Sequence, residues 1–418
     1  MHPYTPNYLS RMTSTTLPAS LSAPFKQDAS IIALVGFAHA SSHFSHLLLP
    51  LMFPVFIKEF GLSYSELGLL MSTFFVISGL GQAGAGFAVD RLGARPLLFL
   101  ALGLLVLACG VASSVTGYSG LLMVAALAGL GNATFHPVDF TILNLRVSTP
   151  RLGHAFSAHG LTGYLGWAAA PVFFSVLGSW YHWRTVYLIA AALYFCILVL
   201  FILLRDKLST QVQTQAADAS AEHSMAFMKL PVVWWCFAYF LLAVATLSVV
   251  QNFSIPILKA MQGVSFEAAT STLTAYMLCS ALGMFVGGFV AARIANSDHV
   301  VAVAMAVGSI LLALCGSGIL GALATMVVLV STGFAIGIGG PSRDMMIRRA
   351  TPKGATGRVF GLVYSGMDVG SSISPVLFGM FMDRGWYGAT LFGAAVVLAF
   401  SVVAALGVGR LTSGRPPG

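Results

Sequence analysis

Charge is what this chain of 418 residues has least of: only 8% are Asp, Glu, Lys or Arg, and just 13 are acidic. A water-soluble domain carries about 25% charge, so an ordinary soluble enzyme is excluded. Cysteine is scarce as well. The five (Cys109, Cys196, Cys236, Cys279 and Cys315) sit singly in apolar runs without a CxxC pair, which excludes a disulfide framework and a thiolate zinc site. Catalytic signatures are also missing: the sequence has no nucleophile elbow, phosphate loop or HExxH. We therefore read it as neither an enzyme nor a metalloprotein, and as carrying no cofactor.

Apolar residues are abundant, at 57% of the chain, with a mean hydropathy of +0.88. A membrane helix needs roughly 20 apolar residues, and twelve apolar stretches of that order follow one another between residues 31 and 409. They fall into six plus six around a polar segment. This predicts an all-α membrane protein of twelve transmembrane helices in two six-helix bundles. The boundaries are a disordered N-terminal tail over 1–29, a first bundle over 30–204, a linker over 205–229, a second bundle over 230–409 and a C-terminal tail over 410–418.

The net charge of +8 is explained by topology and not by nucleic acid. With tails and linker on one side, seventeen Lys and Arg fall on that side and only Lys58, Arg184, Lys259 and Arg384 on the other. The positive-inside rule then makes both termini cytoplasmic. No apolar run precedes Ile31, so no cleaved signal peptide is expected. Expected partners are membrane lipid and a small-molecule substrate, with the chain working as a monomer.

The two halves repeat. A shift of 202 residues pairs Gly61 with Gly263, Ser63 with Ser265 and Arg91 with Arg293, and a shift of 204 pairs Gly129 with Gly333, Gly166 with Gly370 and Pro171 with Pro375. Parallel repeats place a substrate site between the halves near the bilayer midplane.

The loop after the second span reads Gly86-Phe87-Ala88-Val89-Asp90-Arg91-Leu92-Gly93-Ala94-Arg95. Gly86 permits close helix approach, Gly93 a tight turn, and Asp90 can pair with cations or cap a helix. This segment resembles the GxxxDRxGxR signature of the major facilitator superfamily, in which it latches the cytoplasmic side in one access state. In the second copy Ala292 stands where Asp would.

Three further segments resemble the fosmidomycin-resistance branch of that superfamily. They are His39 with Phe53-Pro54 through Glu59-Phe60-Gly61-Leu62-Ser63, Gly131 through Phe135-His136-Pro137, and Gly163, Gly166 and Pro171. The branch pattern has an Asp four residues after the first His and a Glu after the Pro, where this chain has His43 and Val138. The resemblance implies a proton-driven exporter of drugs or metabolites in a bacterial inner membrane, working by alternating access.

Ionisable groups at membrane depth cost several kcal/mol unless they meet a partner or a cavity, so those that topology leaves unexplained are the candidates. His39, His43 and His46 share one face of the first helix. His136 and Asp139 are one turn apart on the fourth, and Asp368 stands between Gly366 and Gly370 on the eleventh. Asp139, Asp368, His39, His43 and His136 are the proton-coupling candidates, since a His beside a carboxylate suits proton transfer. Any of these His could instead merely bond a carbonyl or a serine such as Ser42. His46, His159, Gln251, Asn252, Tyr276 and Arg343 are substrate-cavity candidates, with Gln251 and Asn252 interrupting the seventh helix before Pro256. The repeat pairs Asp139 with Arg343, which predicts a cytoplasmic gate ion pair, formed directly or shared through Asp344, beside the latch residues Gly86, Asp90, Arg91, Gly93 and Arg95. Uptake of a small organic anion on Arg343, or divalent-metal transport on the histidines, are the competing functions.

Overall fold

The computed structural model describes residues 25–210, 226–294, 296–350 and 356–412. They are helical almost throughout and form twelve spans among the described residues. In chain order these are Phe25–Phe60, Tyr64–Leu92, Ala94–Ala112, Tyr118–Arg146, Leu152–Trp180, Trp183–Leu203, Pro231–Gln262, Phe266–Arg293, Ser297–Gly316, Ala322–Ala350, Thr356–Asp383 and Tyr387–Thr412. Eleven are long and apolar enough to cross a membrane. The eleventh, 28 residues long, carries Asp368 among serines and glycines. Large apolar side chains such as Leu80, Phe87, Ile310 and Phe400 are more than half exposed, as a surface facing lipid requires.

The ends of the spans follow from local chemistry. Gly61 and Gly263 take left-handed conformations (φ 67° and 64°) and stop the first and seventh spans, as glycine does at C′. Two residues later Ser63 caps the second span in a capping box with Glu66, and Ser265 caps the eighth through the Ala268 amide. The repeat is therefore built into the turns as well as the helices. Prolines break the spans unequally. The first span stops at His46, passes through a 3-10 turn at Pro50–Met52 and resumes at Phe53. The seventh stays continuous through Pro256, so Gln251 and Asn252 do not interrupt it. Asn252 Nδ2 donates to the Ser248 carbonyl one turn back, at 2.6 Å.

The expected N-terminal tail is shorter than the sequence suggests, because the first helix opens at Phe25. Buried Asp28 accepts from the Ser148 hydroxyl and from Arg151 Nη1 at 2.7 Å, which ties this turn to the foot of the fifth span. Residues 1–24, 211–225, 351–355 and 413–418 lie outside the described residues. The last helix runs through Thr412, into the segment read as tail.

Both ends of the described chain and the described ends of the linker share one face, here the linker face. At the opposite, far face the halves are tied together. The carboxylate of Asp383, at the end of the eleventh span, accepts from the backbone amides of Tyr64 (2.6 Å) and Ser65 (3.0 Å) and from the Ser65 hydroxyl. Ser72 donates to the Ser372 carbonyl, and Phe53 meets Phe253 with ring centroids 6.3 Å apart. The larger apolar core runs through the first bundle and crosses into the second around Phe253, Leu258 and Leu273. A separate core, around Tyr239, Met346 and Val363, holds the linker-face part of the second bundle.

Candidate functional site

Three spans of the first bundle bring most of the candidates together. Spans one and five touch backbone to backbone, because a Cβ on Gly166 would stand 2.1 Å from the Ala40 carbonyl oxygen. Gly163, one turn earlier, leaves room for two imidazoles: its Cβ would lie 2.7 Å from the His43 ring and 2.8 Å from that of His39. The fourth span breaks at Ala133–Thr134 and restarts at Phe135. Pro137 explains the break, since it has no amide hydrogen and its ring crowds the carbonyl four residues back. His136 thus stands in the first turn of a new helix, one turn before Asp139.

The outcome is a buried cluster. His39 stacks on His159 with ring centroids 3.5 Å apart and lies 4.2 Å from His43 and 5.3 Å from His136. His159 Nε2 is 3.1 Å from Asp139 Oδ2, and Asp139 is fully buried. His39 Nδ1–H donates to the His159 carbonyl at 2.6 Å. A carbonyl only accepts, so the proton of neutral His39 is on Nδ1 and Nε2 carries the lone pair.

His46 has a different role from its neighbours. Its Nε2–H donates to Asn132 Oδ1 at 3.1 Å, and its Nδ1 accepts from Trp167 Nε1 at 3.3 Å. Both ring nitrogens are used, so His46 is held neutral as a structural member of the bundle. Asn132 also accepts from the Ser42 hydroxyl (2.6 Å) and donates to Ser78 (2.9 Å). Asn132, Trp167 and Asp28 were not among the candidates read from the sequence. A polar amide inside an apolar run was the available signal for Asn132.

The candidates on other spans are dispersed. Asp368 is half-buried at the seam between the halves, where a Cβ on Gly79 would stand 3.0 Å from its own Cβ. Arg343 pairs with its neighbour Asp344 (2.9 Å) and lies 5.2 Å over the Phe240 ring. The expected Asp139–Arg343 pair is therefore not formed in this conformation, because His159 and Asp344 take the two partners. Tyr276 is buried, with its carbonyl against Gly333 of the tenth span, and so packs within the second bundle. Gln251 and Asn252 are also buried, each keeping one polar atom without a hydrogen-bond partner.

In the loop after the second span, Gly93 makes the expected turn at φ 82°, and Arg91 is exposed while Arg95 is half-buried. Gly86 has open space where its Cβ would be, so no helix approaches it closely here. The side chain of Asp90 lies outside the described residues.

The chain matches the profile of the Major Facilitator Superfamily over residues 35–323 and 244–417. It is 26% identical over 334 residues to the probable nitrate/nitrite transporter NarK2 of Mycobacterium tuberculosis, covering 78% of this chain and 82% of that one. It is 27% identical over 194 residues to a multidrug resistance protein B homologue of the same organism, covering 45% and 34%. Among solved structures, the nucleoside transporter NupG superposes with a TM-score of 0.74 at 17% identity, over 91% of this chain and 99% of that one. A bacterial homologue of the human lysosomal transporter Spinster, in an inward-facing and occupied conformation, gives 0.72 at 14% identity, over 92% and 96%.

Proposed function

The chain belongs to the Major Facilitator Superfamily, and from that premise we propose that it is a proton-coupled exporter of a small organic molecule, working by alternating access in a bacterial inner membrane. It is a multi-pass membrane transporter for small molecules and not an enzyme. The linker face is the cytoplasmic one in this reading, supported by the seventeen cations on that side.

The observation that carries the coupling is the buried Asp139–His159 pair at 3.1 Å. At membrane depth an isolated carboxylate is costly, whereas a carboxylate sharing one proton with an imidazole is neutral overall. Gaining or losing that proton changes the local charge by one unit in a water-poor setting. Such a change biases one access state over the other only where the pair meets different surroundings in the two states. The surrounding difference is supplied by Arg343. When the linker face closes, Asp139 exchanges His159 for Arg343, and protonation releases that gate. Asp368 is the second proton site, and its place against Gly79 puts a titrating group on the moving seam.

Export is supported by the motifs around His39, His136 and Pro171 and by the multidrug-resistance relative. Uptake of a small anion is the second reading, favoured by half-buried Arg343 and by the relative named for nitrate and nitrite. Proteoliposomes with an internal pH dye separate the two. An outward organic solute gradient should drive protons inward in the wild type, and Asp139→Asn and Asp368→Asn should each abolish the signal. Nitrate-driven proton entry from the solute side would favour the anion reading, and unchanged proton flux in both variants would reject these sites.

A further inference from the structure

We propose that His39, His43 and His136 form a binding site for a divalent transition-metal ion of the zinc class, held inside the first bundle between spans one and four. One ligand nitrogen from each of the three residues can be chosen so that all lie within 4.8 Å of one another. Tetrahedral zinc with Zn–N bonds of about 2.0–2.1 Å needs nitrogens about 3.4 Å apart, so the rings must draw inward around the ion.

Three independent features favour a cation over a purely structural cluster. The first is the unmatched nitrogens: Nε2 of His39, Nδ1 of His43 and Nδ1 of His136 are all buried without a hydrogen-bond partner. A buried polar atom left unmatched is costly, and here three such atoms belong to one cluster. Among the described residues no hydrogen bond joins one of these three rings to another. The second is the tautomer. The His159 carbonyl fixes the proton of His39 on Nδ1 and leaves Nε2 free, which is how proteins usually prepare a metal-binding histidine. The third is a further oxygen donor: Asp139 Oδ1, one turn from His136 on the same helix, is buried and unpartnered.

Three imidazoles and an open fourth position match zinc, cobalt or nickel, while magnesium and calcium prefer oxygen ligands. Gly163, without a side chain, leaves the space that the His43 and His39 rings occupy beside the fifth span. With His39 and His43 buried, the ion is retained as a clamp between two spans and is not the transported solute. This inference stands whether or not the proton-coupling reading holds.

The test is cobalt and zinc binding to the purified full chain, isolated by a tag without histidines. The expected result is one ion per chain, with the visible ligand-field absorption of tetrahedral cobalt in the wild type. His39→Ala and His136→Asn should each weaken binding by at least roughly 10–100-fold, the loss that follows removal of merely a ligand's hydrogen-bond partner. His154→Ala and His299→Ala, at exposed positions, should leave it unchanged. Absence of stoichiometric binding by the wild type overturns the proposal without recourse to any variant. So does binding that survives His39→Ala with His136→Asn, or that disappears only with the two exposed histidines.

Discussion

Asn132 joins four side-chain groups: it accepts from Ser42 and His46, donates to Ser78, and through His46 it fixes the Trp167 contact. Its replacement by Ala strands several buried polar atoms at once. At about 1–3 kcal/mol for each unmatched group, Asn132→Ala should destabilise the bundle by about 2 kcal/mol or more, read as a lower thermal midpoint in detergent. Glu59 offers the contrast. It pairs with Arg184 at 2.6 Å and accepts from Trp183, but both charged side chains are about a third exposed. Exposed pairs contribute roughly 0–1 kcal/mol, so Glu59→Gln should shift the midpoint far less than Asn132→Ala. The reverse order would show that the amide network is not what holds the cluster. The Glu59 pair also accounts for one of the four cations on the far face. The histidines and Asp139 were legible in the sequence because ionisable groups at membrane depth need a reason. Their true partners were not, because a shift of 204 residues pairs positions by symmetry, whereas hydrogen bonds form between neighbours in space. Asp139 therefore found His159 across a helix contact and not its symmetry mate Arg343.

At the scale of whole helices the duplication was legible, and the contacts repeat along with the residues. A Cβ on Gly129 would stand 2.4 Å from the Phe74 carbonyl oxygen, and one on Gly333 would stand 2.5 Å from that of Tyr276. These are the same contact, between spans two and four and between spans eight and ten, displaced by the two shifts seen in the sequence. Helices pressed this closely have no room for a side chain, and overpacking costs typically about 1–3 kcal/mol. Gly129→Leu and Gly333→Leu should therefore cause comparable losses of monodisperse protein on size-exclusion chromatography. Gly86→Ala, with open space around the new methyl, should behave as wild type. A tolerated Gly129→Leu beside a lethal Gly333→Leu would break the equivalence of the two halves. The breaks within helices were less legible. Pro50 and Pro54 interrupt the first span and Pro137 restarts the fourth, yet Pro256 leaves the seventh continuous. Proline removes one donor in each case, and whether the helix continues depends on what else satisfies the freed carbonyl and relieves the crowding, which depends on tertiary neighbours.

For the whole molecule, the tie at the far face joins the two halves through Asp383. Asp383 lies outside its own helix's needs and caps another helix in the opposite half, with its negative charge at the positive end of the second span. Ser63 and Glu66 already satisfy the neighbouring groups of that terminus, so Asp383 completes a cap that its absence leaves partly open. Asp383 is exposed, so each of its three hydrogen bonds falls toward the low end of about 0.5–1.5 kcal/mol, and each 1.4 kcal/mol changes an equilibrium tenfold. Rocking the halves apart at this face must break these bonds. Asp383→Ala should therefore raise the share of far-face-open molecules roughly tenfold or more without unfolding either bundle, since the cap connects bundles and supports neither core. Spin labels at Lys58→Cys and Lys259→Cys, both exposed near the far-face ends of spans one and seven, can read this after Cys196→Ser and Cys279→Ser remove the accessible native thiols. The expected change is growth of a second, longer distance population in Asp383→Ala, with an unchanged thermal midpoint. An identical distance distribution in the variant would mean that the Phe53–Phe253 contact and the shared apolar core close this face by themselves, leaving Asp383 no part in setting the balance between states.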